Sequence, residues 1–183
     1  MLLVDTHCHI NMMVKKEFDV PLETRTDGEI QTIIEQASHN EVSLIINVGT
    51  SLVESKNCIE IAKQSSHVYA AVGIHPNDAT SSWQADFKEI KQQVKNKEIN
   101  KIVAIGECGL DMHYPDYNLQ RQKDVFKAHI ELALENNIPQ NRTYPISPIG
   151  LLIMVLHVVN FQVKPVFAFK AIVVNGIVGH VIN

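Results

Sequence analysis

Beyond Glu135 the chain contains no aspartate and no glutamate. All 20 acidic residues lie in 1–135 with 13 of the 16 lysines and arginines, so that span carries −7, whereas 136–183 hold only Arg142, Lys164 and Lys170, for +3. Cysteine is scarce as well. Cys8, Cys58 and Cys108 are odd in number and widely spaced. That excludes a disulfide framework and a C-x-x-C zinc site, and fits a reducing compartment. No apolar run reaches the roughly 18 residues of a membrane-spanning helix. There is no surplus of basic residues, and a net charge of −4 argues against a broad cationic face for gripping nucleic acid. It leaves open a nucleic-acid substrate held through metal ions, which neutralise phosphate locally. Met1 is followed by Leu-Leu-Val-Asp, with neither a basic n-region nor a long apolar h-region. No secretory leader is visible, so a cytoplasmic location is expected.

What is present reads as a soluble α/β domain. Hydrophobic residues make up 45% and charged residues 20% of 183, enough for one domain with a core. The first 135 residues repeat one theme, an apolar strand followed by a helix. Leu2–Val4 opens the series. Thr26-Asp27-Gly28-Glu29 is a T-x-x-E capping box before a helix with Ile30, Ile33, Ile34 and Ala37 on one face. Leu44–Val48 is a second strand. Ser51-Leu52-Val53-Glu54 is a second capping box, with Ile59 and Ala62 along its helix. Val68–Val72 is a third strand, and Phe87, Ile90 and Val94 mark the next helix. Lys101–Ile105 is a fourth strand, and Phe126, Ile130, Ala133 and Leu134 mark a helix that should end near Asn136-Asn137. Four such units with nearly continuous apolar strands imply a parallel sheet covered by helices.

The polar residues of interest fall just after these strands. His7 and His9 stand one residue apart. Side chains in a strand alternate between faces, so the two imidazoles project together while Cys8 turns away. Such a pair can hold a metal ion, neutral imidazole suiting Zn, Mn, Fe or Ni. It is equally compatible with two unrelated polar residues in a loop. Glu107, flanked by Gly106 and Cys108-Gly109, can ligate or bridge metal ions, or pair with a basic residue at the rim. His75, before Pro76, reads as a substrate contact, a metal ligand or a hydrogen-bonded rim histidine. Asp111 can orient other groups or cap the segment that follows. His113, Tyr114 and Tyr117 share its loop. Gln120, Arg121 and Gln122 are expected on a solvated helix face, and His129, near its helix's apolar stripe, is expected to pack. Cys8 and Cys108 read as small buried residues. The carboxyl edge of a parallel sheet is where active sites are built. The common position of His7, His9, His75 and Glu107 there weighs more than any one of them.

Val4-Asp5-Thr6-His7-Cys8-His9, Val72-Gly73-Ile74-His75-Pro76 and Ala104-Ile105-Gly106-Glu107-Cys108-Gly109-Leu110-Asp111 resemble, in order, three motifs of the TatD-like metal-dependent hydrolases. Gln122, Phe126, Ile130 and Leu132-Ala133, with Asn137-Ile138-Pro139, extend the resemblance over roughly 2–139. It implies a TIM-barrel-type fold and metal-dependent phosphodiester hydrolysis, with DNA as substrate and metal-activated water as nucleophile. It implies divalent ions, two in number, of Zn, Mg or Mn. It also implies that His7, His9 and Glu107 are metal ligands and that His75 lies at the site mouth. A related amidohydrolase acting on C–N or ester bonds, and a non-catalytic remnant or interaction protein, are the alternatives.

The resemblance stops after Pro139. In the family, a strand bearing the next metal-binding histidine follows, and a later aspartate completes the site. Here Gln140-Asn141-Arg142-Thr143-Tyr144-Pro145 follows, and no acid comes after Glu135. The catalytic aspartate therefore has no counterpart, and activity of this chain does not follow from its motifs. His157 lies in the apolar stretch Leu151–Val159, outside the family's pattern. Asn175-Gly176 between apolar runs is a hairpin signal. Four more strand-helix units do not fit into 140–183, at about 30 residues each. We therefore expect half a barrel over 1–139 and an atypical tail over 140–183, arising from a change of reading frame near codon 139 or 140. Translation of the other two frames without a strand-plus-histidine continuation would overturn that origin. Exposed sheet edges would favour self-association, an expectation that a monodisperse soluble monomer would contradict.

Overall fold

A computed structural model describes residues 3–15, 17–23, 26–143 and 154–157. Its elements run β1 (Leu3–Cys8), α1 (Ile10–Val14), α2 (Asp27–His39), β2 (Val42–Val48), α3 (Leu52–Gln64), β3 (Val68–Val72), α4 (Trp83–Lys95), β4 (Ile102–Gly109), α5 (Leu119–Asn136), β5 (Gln140–Thr143) and β6 (Met154–His157). The six strands form one sheet in the order β1-β2-β3-β4-β5-β6. Neighbours are parallel from β1 through β5, and β6 pairs antiparallel with β5. Sequential parallel neighbours, each joined by a helix, are what the strand-helix rhythm predicts, and they make half of the (β/α) barrel that the resemblance implies.

The parallel sheet runs past residue 139, because β5 pairs with β4 from Gln140 to Thr143. The Asn175-Gly176 hairpin signal lies outside the described residues, as does the side chain of His157. A short helix, α1, occupies the start of what reads in sequence as one polar loop.

Alternation along the strands sorts the core into two faces. Ile45, Ala70, Val72 and Ile105 pack with the helices, against Ile30, Ile34, Ile59, Ile61, Phe87, Ile90 and Val94. Val48, Ala71 and Ala104, with Ile46 beside them, form a second cluster of mostly small side chains. Those residues alternate with the first set, so they face the opposite side, the interior of the half barrel.

The helix ends follow the sequence unevenly. At α3, Ser51 Oγ accepts the Glu54 N–H at 3.1 Å, as a capping box requires. The Glu54 side chain does not reach back but is fully buried elsewhere. At α2, Thr26 makes no side-chain cap. It sits in helical backbone geometry, and its hydroxyl donates instead to the Glu23 carbonyl at 2.7 Å. Helix α5 ends on Asn137 in the left-handed conformation (φ 56°, ψ 47°), a role asparagine fills well.

The buried stripe of α5 is rotated from the expected one. Gln122, Val125, His129, Leu132 and Ala133 are buried. Phe126 and Ile130 are only half-buried, and Leu134 is 65% exposed. Two polar side chains hold central positions because their polar atoms are satisfied there. His129 is fully buried. Its Nδ1–H donates to the Val125 carbonyl at 2.7 Å, and its Nε2 accepts the Ile74 N–H at 3.0 Å. The imidazole thus ties α5 to the end of β3 and packs against Phe87 at 4.7 Å between ring centroids.

Burial pushes the His129 imidazole down from 6.5 to about 4, partly opposed by the Val125 hydrogen bond. A histidine kept neutral in the fold stabilises fully above its unfolded value of 6.5 and progressively less as pH falls to about 4. The loss amounts to roughly 3 kcal/mol. Urea unfolding between pH 7 and pH 4 should show this slope in the wild-type chain and a shallower one in His129→Gln. Equal slopes would remove His129 from the acid response.

Candidate metal centre at the carboxyl edge

Three strand ends converge on one point. Cys8 packs toward the helices, so His7 and His9 face the barrel interior, as their spacing predicts. Their Nε2 atoms are 2.9 Å apart, with the rings edge to face. Glu107 Oε2 lies 3.7 Å from His7 Nε2 and 3.9 Å from His9 Nε2. Its other oxygen, Oε1, lies 3.8 Å from His75 Nε2. One carboxylate therefore stands among three imidazoles. The Glu107 side chain is 6% exposed and those of His7 and His75 are each 19% exposed, so the group is recessed yet open to a small solute.

Backbone contacts hold these side chains. The Glu107 N–H donates to the Gly49 carbonyl at 2.9 Å, and the His75 N–H donates to the Thr50 carbonyl at 2.7 Å. The loop after β2 thus anchors both the β3 and β4 ends. Simple alternation would put Glu107 on the same face as Ile105, among the helices. The β4–β5 register shifts between Ile105 and Cys108, and this irregularity re-aims the carboxylate. The glycines permit the crowding. A Cβ on Gly73 would lie 2.7 Å from the Gly106 carbonyl carbon, and one on Gly106 would lie 2.1 Å from the Asn141 carbonyl oxygen.

The donor set was tested for its fit to a cation. One ligand atom from each of His7, His9 and Glu107 can be chosen so that all three lie within 4.8 Å of one another. His9 Nδ1 is 2.8 Å from the Val48 carbonyl oxygen. A carbonyl only accepts, so Nδ1 carries the proton and Nε2 keeps its lone pair for a ligand. Two bare lone pairs at 2.9 Å would repel, so His7 Nε2 must donate to His9 Nε2. The shared proton occupies the place where a cation would sit, so a cation bound there would require the His7 proton to move to Nδ1. The residues fit a divalent ion.

The surroundings favour neutral groups. Burial pushes the His7 imidazole down to about 4. Glu107 opposes that shift and His9 adds to it, while the Asn141 amide opposes and His75 adds. Burial raises the Asp5 carboxyl, and the His7 N–H that it accepts at 2.9 Å works the other way. Burial also raises Asp78, with His75 opposing and Glu107 adding. The Cys8 thiol is pushed up to about 12 by burial and by Asp5, so it is an inert half-buried side chain, and Cys108 is fully buried.

Comparison with known proteins gives the family and the fold. The family described as TatD related DNase matches residues 4–141. The chain belongs to the TatD-related DNase family. A Bacillus subtilis relative named as the uncharacterized metal-dependent hydrolase YabD is 35% identical over 138 residues, covering 75% of this chain and 49% of its own length. A Shigella flexneri relative named 3′-5′ ssDNA/RNA exonuclease TatD is 33% identical over 107 residues, covering 58% of this chain and 40% of its own length. The crystal structure of the TatD homolog YJJV from Escherichia coli superposes with a TM-score of 0.64 at 23% identity, over 76% of this chain and 49% of that one. The chain spans about half the length of the curated relatives it matches. Its fold is that of a partial TatD barrel, and the TatD relatives are metal-dependent hydrolases and nucleases. Among the described residues, no helix is long and apolar enough to cross a membrane.

Several residues stand elsewhere than their sequence setting suggests. Gln120 is exposed as expected, but Arg121 is half-buried and Gln122 is 2% exposed. Gln122 leaves the solvated face because every hydrogen-bonding atom of its amide finds a partner behind the site. Asp111 caps the segment directly after it, while the N-cap of α5 is Asn118. Its carboxylate accepts Asn77 Nδ2 at 2.6 Å and the His113 N–H at 2.8 Å. His113 and Tyr114 stack edge to face on an exposed loop. The motifs carried no sign of the fully buried Glu54 and its partner Lys15. Glu54 reads in the sequence as the acid of a capping box, and Lys15 carries no signal of its own.

Proposed function

We propose that this TatD-family chain carries half of a hydrolytic metal centre, in which His7 Nε2, His9 Nε2 and Glu107 hold divalent ions and nucleic-acid phosphodiesters are the substrate class. The observation that carries this reading is the His9 Nδ1 contact with the Val48 carbonyl, which puts the ring proton on Nδ1 and leaves the Nε2 lone pair beside His7 and Glu107. A bound divalent ion supplies polarisation of a phosphoryl oxygen and activation of water near neutral pH. Glu107 contributes negative charge and a second oxygen turned toward His75. His75 sits at the mouth, with Nε2 placed to donate a hydrogen bond to a phosphoryl oxygen. No carboxylate follows Glu135 within these 183 residues, so this half of the site does not itself include the aspartate implied for activating water. The expected behaviour is metal binding with little or no turnover by this chain alone.

Metal content by mass spectrometry after dialysis, together with a nuclease assay on end-labelled single-stranded DNA, tests the reading. We expect bound Zn or Mn in the wild-type chain. Affinity should fall at least tenfold in Glu107→Gln and further in the double variant His7→Ala/His9→Ala, each of which removes a ligand. Metal retained unchanged by the double variant would overturn the ligand assignment. Hydrolysis at the rate of a complete relative would overturn the half-site reading.

A further inference from the structure

A buried amide stands behind His75 and touches no reacting atom. Gln122, 2% exposed on α5, accepts the Asp111 N–H on Oε1 at 2.9 Å. Its Nε2 donates to the Asp111 carbonyl at 2.7 Å and to Asn77 Oδ1 at 3.2 Å. Asn77 Nδ2 in turn donates to Asp111 Oδ2 at 2.6 Å. The loop after β3 and the loop after β4 are thus closed into one hydrogen-bonded ring with Gln122 at its centre. From the same turn of α5, Arg121 Nη1 donates to the Ala79 carbonyl at 3.0 Å and pins the far end of the β3 loop.

The output of this ring is a backbone amide. The Asn77 N–H points at His75 Nδ1, 3.2 Å away. A peptide N–H only donates, so Nδ1 must accept, and the neutral ring then carries its proton on Nε2. His75 Nε2 faces Glu107 and the mouth as a donor and offers no lone pair to a cation. His9 has the opposite arrangement, because its Nδ1 faces a carbonyl. Two histidines on either side of one carboxylate thereby hold opposite tautomers, each set by the backbone behind it.

We propose that Gln122 is a positioning residue that, through Asp111 and Asn77, sets which ring nitrogen of His75 carries the proton. The proposal rests on reading the carboxyl edge as a hydrolytic site and adds how one of its side chains is kept a donor. The competing account is local. The turn closed by the Asp78 N–H on the His75 carbonyl at 3.0 Å would hold the Asn77 amide without help from α5.

Histidine nitrogen NMR on the full metal-free chain, at about pH 8 where ordinary imidazoles are neutral, separates the two accounts. In the wild-type chain His75 should show one tautomer, with the proton on Nε2. Gln122→Leu and Asn77→Ala should each convert it to an average of both tautomers, and the His9 pattern should not change. Should Gln122→Leu fail to fold, Asn77→Ala, at a half-buried position and with its backbone N–H intact, decides by the same criterion. A His75 that keeps a single Nε2–H form in the folded variants overturns the proposal, as does a wild-type His75 that already averages. Failure to bind metal, or hydrolysis at the rate of a complete relative, would overturn the functional reading and leave this tautomer readout standing.

Discussion

Gly106→Ala should be the most damaging single-methyl change among the described residues. Gly106 has a φ of +146°, a region that L side chains rarely adopt, at a cost of about 1–3 kcal/mol. The added Cβ would also sit 2.1 Å from the Asn141 carbonyl oxygen and 2.9 Å from the Asn141 carbonyl carbon. Those atoms belong to the backbone of β5, so no rotamer change relieves the overlap. Either β5 separates from β4 or β4 shifts and carries Glu107 away from the histidines. Strain and overpacking together should cost about 4 kcal/mol, a large share of the ~5–15 kcal/mol that holds a typical domain. Gly28→Ala is the control, since nothing lies within 4 Å of its Cβ position. That change should be neutral or stabilise by up to about 1 kcal/mol. Urea unfolding of both variants checks this. A Gly106→Ala chain within 0.5 kcal/mol of wild type, roughly the noise of a surface substitution, would mean that β4 and β5 are not packed as described.

Lys15→Met should cost nearly as much by a different route. Glu54 is fully buried, and the Lys15 side chain is 5% exposed at 2.7 Å from it. The carboxylate also accepts Asn11 Nδ2 at 2.6 Å, the Asp19 N–H at 2.7 Å and Asn57 Nδ2 at 3.2 Å. Lys15 Nζ and Asn57 Nδ2 both donate to the Val20 carbonyl, and Asn57 Oδ1 accepts the Leu22 N–H. The cluster straps the chain after α1 onto α3. Removing the ammonium leaves a buried charge without its counter-ion, which typically costs about 3–5 kcal/mol.

Acidification should reveal the mechanism. In the wild-type chain burial works to raise the Glu54 carboxyl. The bonds from Lys15, Asn11, Asn57 and the Asp19 amide outweigh burial and hold it below its ordinary 4.5. Its contribution is therefore fully present above about pH 4.5 and is lost as pH falls through the lowered value. Without Lys15 the largest favourable bond is gone, burial dominates, and protonation relieves the variant. The gap between the two chains should shrink from pH 7 toward pH 4. Urea midpoints at both pH values test this, with Lys15→Met/Glu54→Gln expected to be less destabilised than Lys15→Met alone. A gap below 1 kcal/mol at pH 7 would refute the buried pair.

The sequence made the β side of the fold legible. Strand runs of β-branched residues and helix faces of 3.6 period appear in order, so the parallel arrangement follows without coordinates. It also made the histidine pair legible, because residues i and i+2 of a strand share a face whatever the rest of the chain does. The helix surfaces were less readable. On α5, Phe126 and Leu134 look like core residues and Gln122 like a surface one, while His129 packs as its place near the stripe suggests. Hydrophobic pattern assigns burial by side-chain polarity alone, whereas actual burial also depends on whether a distant backbone group can satisfy the polar atoms. Ile74, Asp111 and Asn77 do so here, from 11 to 55 residues away.

By itself, the sequence determined the strand-helix order, the family, the convergence of His7, His9, His75 and Glu107 on one sheet edge, and the absence of acids after Glu135. These are properties of local periodicity and of residue identity, and both are written along the chain. Only the tertiary structure decided which way Glu107 faces, since a register irregularity in β4 overrides simple alternation. It alone decided that Glu54 and Lys15 form a buried pair 39 residues apart. It also decided which nitrogen of His9 and of His75 carries the proton. A proton's place on an imidazole depends on whether a carbonyl or an amide lies behind the ring, and that neighbour is chosen by the fold.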